Sequence, residues 1–234
     1  MKHYILLDYI KGIAFILMII HHLFYIYDIT NNTYNYKNEY IKYCGFVARY
    51  LFILLVGINI VLCYNNTNKF NKFVKKKFKQ GCYVLFHALM ISLLTYYYYP
   101  DKYIRFGILH FIGTITILII PLIPFKNFYW IFLIVSLLLQ NIKFTNFNNI
   151  FDIILGQAIN YYNMIDYFPL IKWTPIVISG MIIGNYFDFS ILEKYLHNNI
   201  LSWIGKNSLH LYTFHLYILV IIYNLLKNIN YRIL

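Results

Sequence analysis

Ile104-Arg105-Phe106-Gly107-Ile108-Leu109-His110-Phe111-Ile112-Gly113 opens an apolar run that continues to Pro121. A guanidinium and an imidazole at the start of such a run need a reason. Placing Arg at the centre of a bilayer costs roughly 2.5–3.5 kcal/mol, and less near the interface. Two readings are open. Arg105 can snorkel to headgroups beside a satisfied core histidine, or both groups can face a cavity, a partner or a substrate. Either way the run predicts a membrane helix over 104–122. Working outward, further runs approaching the length of about 20 residues that spans a bilayer occur at 4–27, 46–64, 80–99, 127–142, 169–187 and 205–227. Of these, 127–142 is the shortest. The expected fold is all-α, a polytopic integral membrane bundle of about seven transmembrane helices, forming a single membrane-embedded domain over 1–234. Between the fifth and sixth runs, 146–166 is polar and aromatic. Its apolar patch at 150–159 is too short to span and reads as a re-entrant or interfacial piece.

Of the 234 residues 61% are hydrophobic and only 12% are charged, which selects the membrane class. The net charge of +12 does not indicate nucleic-acid binding, because the cations flank apolar spans instead of forming a stripe. Cys44, Cys63 and Cys82 are isolated, with no metal-ligand spacing, and read as small packing residues. The first apolar run is too long for a signal-peptide core and lacks a small-residue cleavage site, so it is expected to stay in the membrane. Lys69, Lys72, Lys75, Lys76, Lys77 and Lys79 crowd one short loop. Such a loop should remain cytoplasmic, which places the N-terminus on the cytoplasmic side of the cell membrane. The same lysines can meet anionic lipid or share in holding the phosphates of a nucleotide-bearing donor.

The first helix carries one polar stripe. Met18 and His22 lie seven and eleven positions after Lys11, both within about 20° of its line at 100° per residue. Asp8, three residues before Lys11, is close enough to pair with it. His21 points about 80° away. His22 stands about 16 Å beyond Lys11 along the axis. A buried Asp–Lys pair can be structural or functional. In the last run Ser208, Tyr212 and His215 share a face while His210 points elsewhere, which fits either a helix contact or a site lining. His87 reads as a buried or interface histidine, Tyr96 to Tyr99 as an aromatic belt, and Gly180 with Gly184 as a close-packing pair. Pro169 and Trp173 fall on the same outer side as Arg105.

Four blocks stand in order: Asp8-x-x-Lys11-Gly12-x-Ala14-x-x-x-Met18-x-x-x-His22; Arg105-Phe-Gly-Ile-Leu-His110-Phe-Ile-Gly113; Tyr167-Phe-Pro-Leu-x-x-Trp173…Gly180; and Gly205-Lys-Asn-Ser208-Leu-x-x-Tyr212-x-x-His215. Together they resemble the membrane proteins grouped with the heparan-alpha-glucosaminide N-acetyltransferase catalytic domain, over nearly the whole chain. The chain departs from that pattern in places. Lys11 replaces the usual Arg, which loses the planar fork; Lys172 replaces a proline; Leu216-Tyr217 replaces Gln-Pro; and an Asp usually just after the first-helix His is displaced, with Asp28 the nearest. The resemblance implies transfer of an acyl group, typically acetyl, from cytosolic acyl-CoA to an extracytoplasmic sugar or glycan. Acetyl-CoA is then a co-substrate and no cofactor or metal is permanently bound. The implied catalytic residues are His110 and His22 as base or transient acyl carrier, His215 to hold or assist, and Arg105 to orient substrate or stabilise charge. Asp8, Lys11, Trp173, Ser208 and Tyr212 are expected to bind substrate. Membrane lipid and a saccharide acceptor are the expected partners, self-association stays open, and no nucleic acid is expected. A transporter or flippase without bond chemistry, or a catalytically silent relative, would use the same intramembrane charges.

If the stripes face one interior, Arg105, His110, His22 and Trp173 gather at one outward-opening cavity, with His21 and His210 outside it. The lysine loop makes a topological prediction as well. A reporter at Asn71 should be cytoplasmic and one at Asn35 extracytoplasmic; finding both on one side would contradict the helix placement between them.

Overall fold

The computed structural model describes residues 4–31, 39–141, 150–156, 164–193 and 196–233. Among these residues the regular structure is helical: α1 (Ile5–Asn31), α2 (Glu39–Asn65), α3 (Phe70–Tyr98), α4 (Ile108–Leu118), α5 (Tyr129–Leu139), α6 (Ile150–Leu155), α7 (Leu170–Tyr186), α8 (Ser190–Glu193), α9 (Ile200–Lys206) and α10 (Ser208–Ile233). The one β-type pairing is an isolated parallel bridge between Phe106 and Tyr167. Each of the seven apolar runs contains a helix. Asn35 lies outside the described residues, as do 146–149 and 157–163 of the 146–166 segment and the displaced Asp28 side chain.

Among the described residues three helical stretches are both long and apolar enough to cross a membrane: Ile5–Tyr25, Glu39–Asn65 and Phe70–Tyr98. The expectation of seven is met to that extent. For α4 and α5 the reason is length. α4 has 11 residues, about 17 Å at 1.5 Å per residue, against a hydrocarbon thickness of about 30 Å. Its expected first turn, Ile104 to Gly107, is instead spent on non-helical backbone, and Pro121 in the following 3-10 turn removes a donor and ends it. α5 is as short. Yet Trp130, Ile131, Ile134, Leu137 and Leu138 of α5 are all exposed. A helix oily all round and left uncovered is stable in lipid and not in water. These helices and their uncovered apolar faces are those of a membrane protein.

The chain divides into two compact units, one over 53–188 and the other over 3–52 with 189–234. In the first, the second half of α2 lies against α7 with backbone on backbone. A Cβ at Gly57 would collide with the Val177 carbonyl, and one at Gly180 with the Leu54 carbonyl. Gly184 sits over Ile58 in the same way, so the expected close-packing glycines are in place. Pro175 lies inside α7, where its missing N–H leaves the Ile171 carbonyl without its helical donor. The Gln140 amide at the end of α5 donates to the Ile171 and Lys172 carbonyls at 3.4 and 3.0 Å, which answers that loss.

In the second unit α1 is joined to α9 and α10. Glu193 accepts the Leu6 N–H at 3.0 Å, an acid placed at the positive end of α1. The Tyr9 hydroxyl donates to the His197 carbonyl at 2.8 Å.

The glycine contacts give a stability prediction. Gly57→Leu and Gly180→Leu should each destabilise the protein by about 1–3 kcal/mol through overpacking, whereas Ile183→Leu at an exposed α7 position should be within about 0.5 kcal/mol. Melting temperature in detergent checks it, and wild-type melting of both glycine variants would contradict the contact.

Candidate functional site

The polar stripes of α1 and α10 meet. His22 and His215 are stacked with ring centroids 5.3 Å apart and planes at 12°. Nδ1 of His22 is 3.1 Å from Nε2 of His215. The far nitrogen of His215, Nδ1, is 3.3 Å from the Leu211 carbonyl one turn back. Phe15 packs edge-on to His215 at 5.7 Å and Tyr212 at 5.1 Å. Tyr212 and His215 are buried while His210 is exposed, as the shared face of α10 requires. Ser208 begins α10. His21 is spent elsewhere: its Nδ1 donates to the Ile41 carbonyl of α2 at 3.0 Å.

Further back along α1, Lys11 donates to Asp8 at 3.1 Å, the carboxylate buried and the amine partly exposed. Burying such a pair is tolerable only because the charges are matched. What brings the segment down onto α9 is the absence of side chains. A Cβ at Gly205 would strike the Asp8 carbonyl, and one at Gly12 the Leu201 carbonyl. Thus α1 passes α9 near Asp8 and α10 near His22, so α1 and α10 advance in the same direction. The Lys11-Gly12 and Gly205-Lys-Asn-Ser208 blocks are two sides of one helix contact.

In the other unit the Arg105 segment is a knot of polar bonds. Phe168 N–H donates to the Phe106 carbonyl at 2.9 Å and Ile165 N–H to the Lys102 carbonyl at 3.0 Å. Asp166 accepts the Ile108 N–H at 2.9 Å, which fills one of the orphan donors at the start of α4. His110 reaches back so that its Nδ1 accepts from Gly107 N–H at 3.2 Å. Ser92 donates its hydroxyl proton to the Ile104 carbonyl at 2.6 Å, so the 3.2 Å bond between Ser92 Oγ and His110 Nε2 must be donated by the imidazole. In that neutral tautomer both ring nitrogens of His110 are engaged. Arg105 lies with its guanidinium 4.8 Å over the Tyr103 ring, partly exposed. Trp173 is buried and stacks on Phe168 at 4.8 Å, with Lys172 at 5.7 Å over its ring.

Of the expected site residues, the structure brings His22, His215 and Tyr212 together in one unit, with Asp8 and Lys11 on the same stripe of α1. Arg105, His110 and Trp173 lie on one bonded segment of the other unit. Sequence reasoning missed Asp166, Ser92 and Phe15. Asp166 stands one residue before the Tyr167-Phe-Pro block, which was the only signal for it; its bond spans 58 residues of sequence. Among the described residues no three His, Cys, Asp or Glu side chains gather as metal ligands.

The bonds of His110 make a prediction. His110→Ala should cost about 0.5–2 kcal/mol, the price of a lost helix cap. His110→Asn should recover most of it, because the amide oxygen can accept the Gly107 N–H in place of Nδ1. Melting temperature reads both. Equal stability of the wild type and the Ala variant would show that the cap is not made.

Compared with known proteins, residues 3–217 match the family model described as heparan-alpha-glucosaminide N-acetyltransferase, catalytic. No curated protein and no solved structure matches the chain significantly. The matched span contains all four motif blocks and both groups of polar side chains. The chain therefore belongs to the heparan-alpha-glucosaminide N-acetyltransferase catalytic-domain family.

Proposed function

We propose that this protein is a multi-pass membrane acyltransferase that moves an acetyl or other acyl group from a cytosolic acyl-CoA to an extracytoplasmic sugar or glycan. The reading includes seven membrane passages with a cytoplasmic N-terminus, the short helices crossing together with their neighbours. The observation that carries it is the His22–His215 pair, two imidazoles bonded to each other inside a bundle of apolar helices. Intramembrane imidazoles are retained where they do chemistry or line a path. Acyl transfer needs what an imidazole supplies. The acceptor hydroxyl or amine must lose a proton as its oxygen or nitrogen attacks the thioester carbonyl, and the departing CoA thiolate must gain one. One imidazole can take the first proton and return the second, which balances the reaction.

His22 is assigned the base. His215 supports it, Tyr212 and Ser208 extend the same face of α10, and Asp8 with Lys11 marks the other end of the α1 stripe as a substrate-binding position. Arg105 is assigned to substrate orientation or to the developing oxyanion, with Trp173 as an apolar wall for the acceptor. His110, with both nitrogens engaged, holds the Arg105 segment in shape. The exposed lysines at the start of α3, among them Lys75, Lys76 and Lys79, are placed to meet the donor's phosphates or anionic lipid.

The test is transfer of labelled acetyl from acetyl-CoA to a panel of saccharides by the purified protein in liposomes. Wild-type protein should consume thioester in a saccharide-dependent way. His22→Ala should lower the rate by about 10²–10⁴-fold in protein that remains folded at the assay temperature despite the lost His215 bond, and Arg105→Lys should impair it by loss of the planar fork. Absence of transfer with saccharide flux into the vesicles would instead identify a transporter. Near-normal transfer by a folded His22→Ala protein would remove this residue from the chemistry.

A further inference from the structure

We infer that His22 and His215 form a one-way hydrogen-bonded relay in which His215 is a positioning residue. It fixes the tautomer of His22 and leaves Nε2 of His22 as the proton acceptor of the pair. The inference rests on the proposed function for its catalytic consequence, and on geometry alone for the direction of the bonds.

The direction follows from the end of the chain of contacts. A carbonyl oxygen can only accept, so the 3.3 Å approach of His215 Nδ1 to the Leu211 carbonyl puts the ring proton of His215 on Nδ1. The described neighbours of that ring, Phe15, Tyr212 and His22, bring no negative charge to hold an imidazolium, so the neutral form is the relevant one. Its Nε2 then carries a lone pair. That lone pair faces Nδ1 of His22 at 3.1 Å, so the proton between the rings belongs to His22 Nδ1. Neutral His22 has no second ring proton, and its Nε2 is bare. The sequence of donors runs from His22 Nδ1–H to His215 Nε2, and from His215 Nδ1–H to the Leu211 carbonyl.

This is the arrangement a base needs. The second nitrogen of a working histidine is normally held by an acceptor that sets tautomer and ring orientation. Here a second imidazole does it in place of a carboxylate. When Nε2 of His22 takes a proton from the acceptor substrate, its Nδ1–H already points at a lone pair. Passing that proton on to His215 Nε2 would move the positive charge to the second ring, whose Nδ1–H already points at a carbonyl. The two rings are near parallel, at 12°, and His215 is wedged between Phe15 and Tyr212, so neither can turn without losing the bond.

The test uses full-length protein labelled with ¹⁵N-histidine in lipid nanodiscs, with the His22 signals assigned by their loss in His22→Gln. In the wild type Nδ1 of His22 should be protonated and Nε2 bare. In His215→Leu and His215→Phe the preference should collapse to a mixture of tautomers. In His215→Gln it should return, because one amide can both accept from His22 and donate to the Leu211 carbonyl. Kinetically, the Leu and Phe variants should lose roughly 10²-fold or more in kcat with KM unchanged, within the 10²–10⁴-fold that a well-positioned base contributes, and Gln should restore most of it. A protonated Nε2 on wild-type His22, or a tautomer indifferent to His215, overturns the relay whether or not the protein transfers acyl groups. Tautomer loss with unchanged kcat overturns its catalytic role. Absence of acyl transfer by wild-type protein with the predicted tautomer intact removes the proposed function and leaves the relay standing.

Discussion

The hydrogen bond between His22 and His215 ties together helices from opposite ends of the chain. The inward faces of α1 and α10 must be in the right rotation for the rings to meet. In an apolar helical bundle there is no water to satisfy a misplaced imidazole, so each ring that faces inward needs a partner. The stripe on α1 and the stripe on α10 therefore specify each other. The same demand explains why His21 and His110, also on apolar helices, are tied to the Ile41 carbonyl and to Gly107 with Ser92.

That bond is reached only because helices approach closely elsewhere. Gly12 and Gly205 let α1 lie on α9 with backbone against backbone, and α10 begins immediately after α9. In the other unit Gly57 and Gly180 do the same for α2 and α7. Between helices in lipid the hydrophobic effect supplies little, so dispersion contacts and shared polar bonds decide which faces meet. The Gln140 amide at the Ile171 carbonyl freed by Pro175 is a local instance: a helix break is tolerated because a neighbour supplies the missing donor.

Much of this was legible from residues alone. Periodicity placed Asp8 beside Lys11, put His22 on their line and His21 off it, and separated His215 from His210; those are properties of a helix that any neighbour inherits. The all-helical class followed from seven apolar runs, each of which holds a helix. Span lengths were less legible. An apolar run shows where lipid is tolerated, but not that Ile104 to Gly107 prefers to bond the 165–168 segment over extending α4. Pairings across the chain were not legible at all. Nothing local indicates that Asp166 caps α4 or that His22 finds His215, because both depend on packing between segments far apart in sequence. The Lys11-Gly12 block reads as a charge motif, whereas its glycine turns out to be a contact surface.

In the proposed reaction the lone pair on Nε2 of His22 takes the proton of the acceptor. The most direct test of that role is a cryo-electron microscopy map of the protein holding a non-transferable acetyl-CoA analogue. The acyl carbonyl should lie close enough to His22 for an attacking acceptor to be within hydrogen-bond or one-water reach of Nε2, with the stacked His215 unchanged. An acyl group held beside His110, or more than about 10 Å from His22, well beyond that reach, would contradict it.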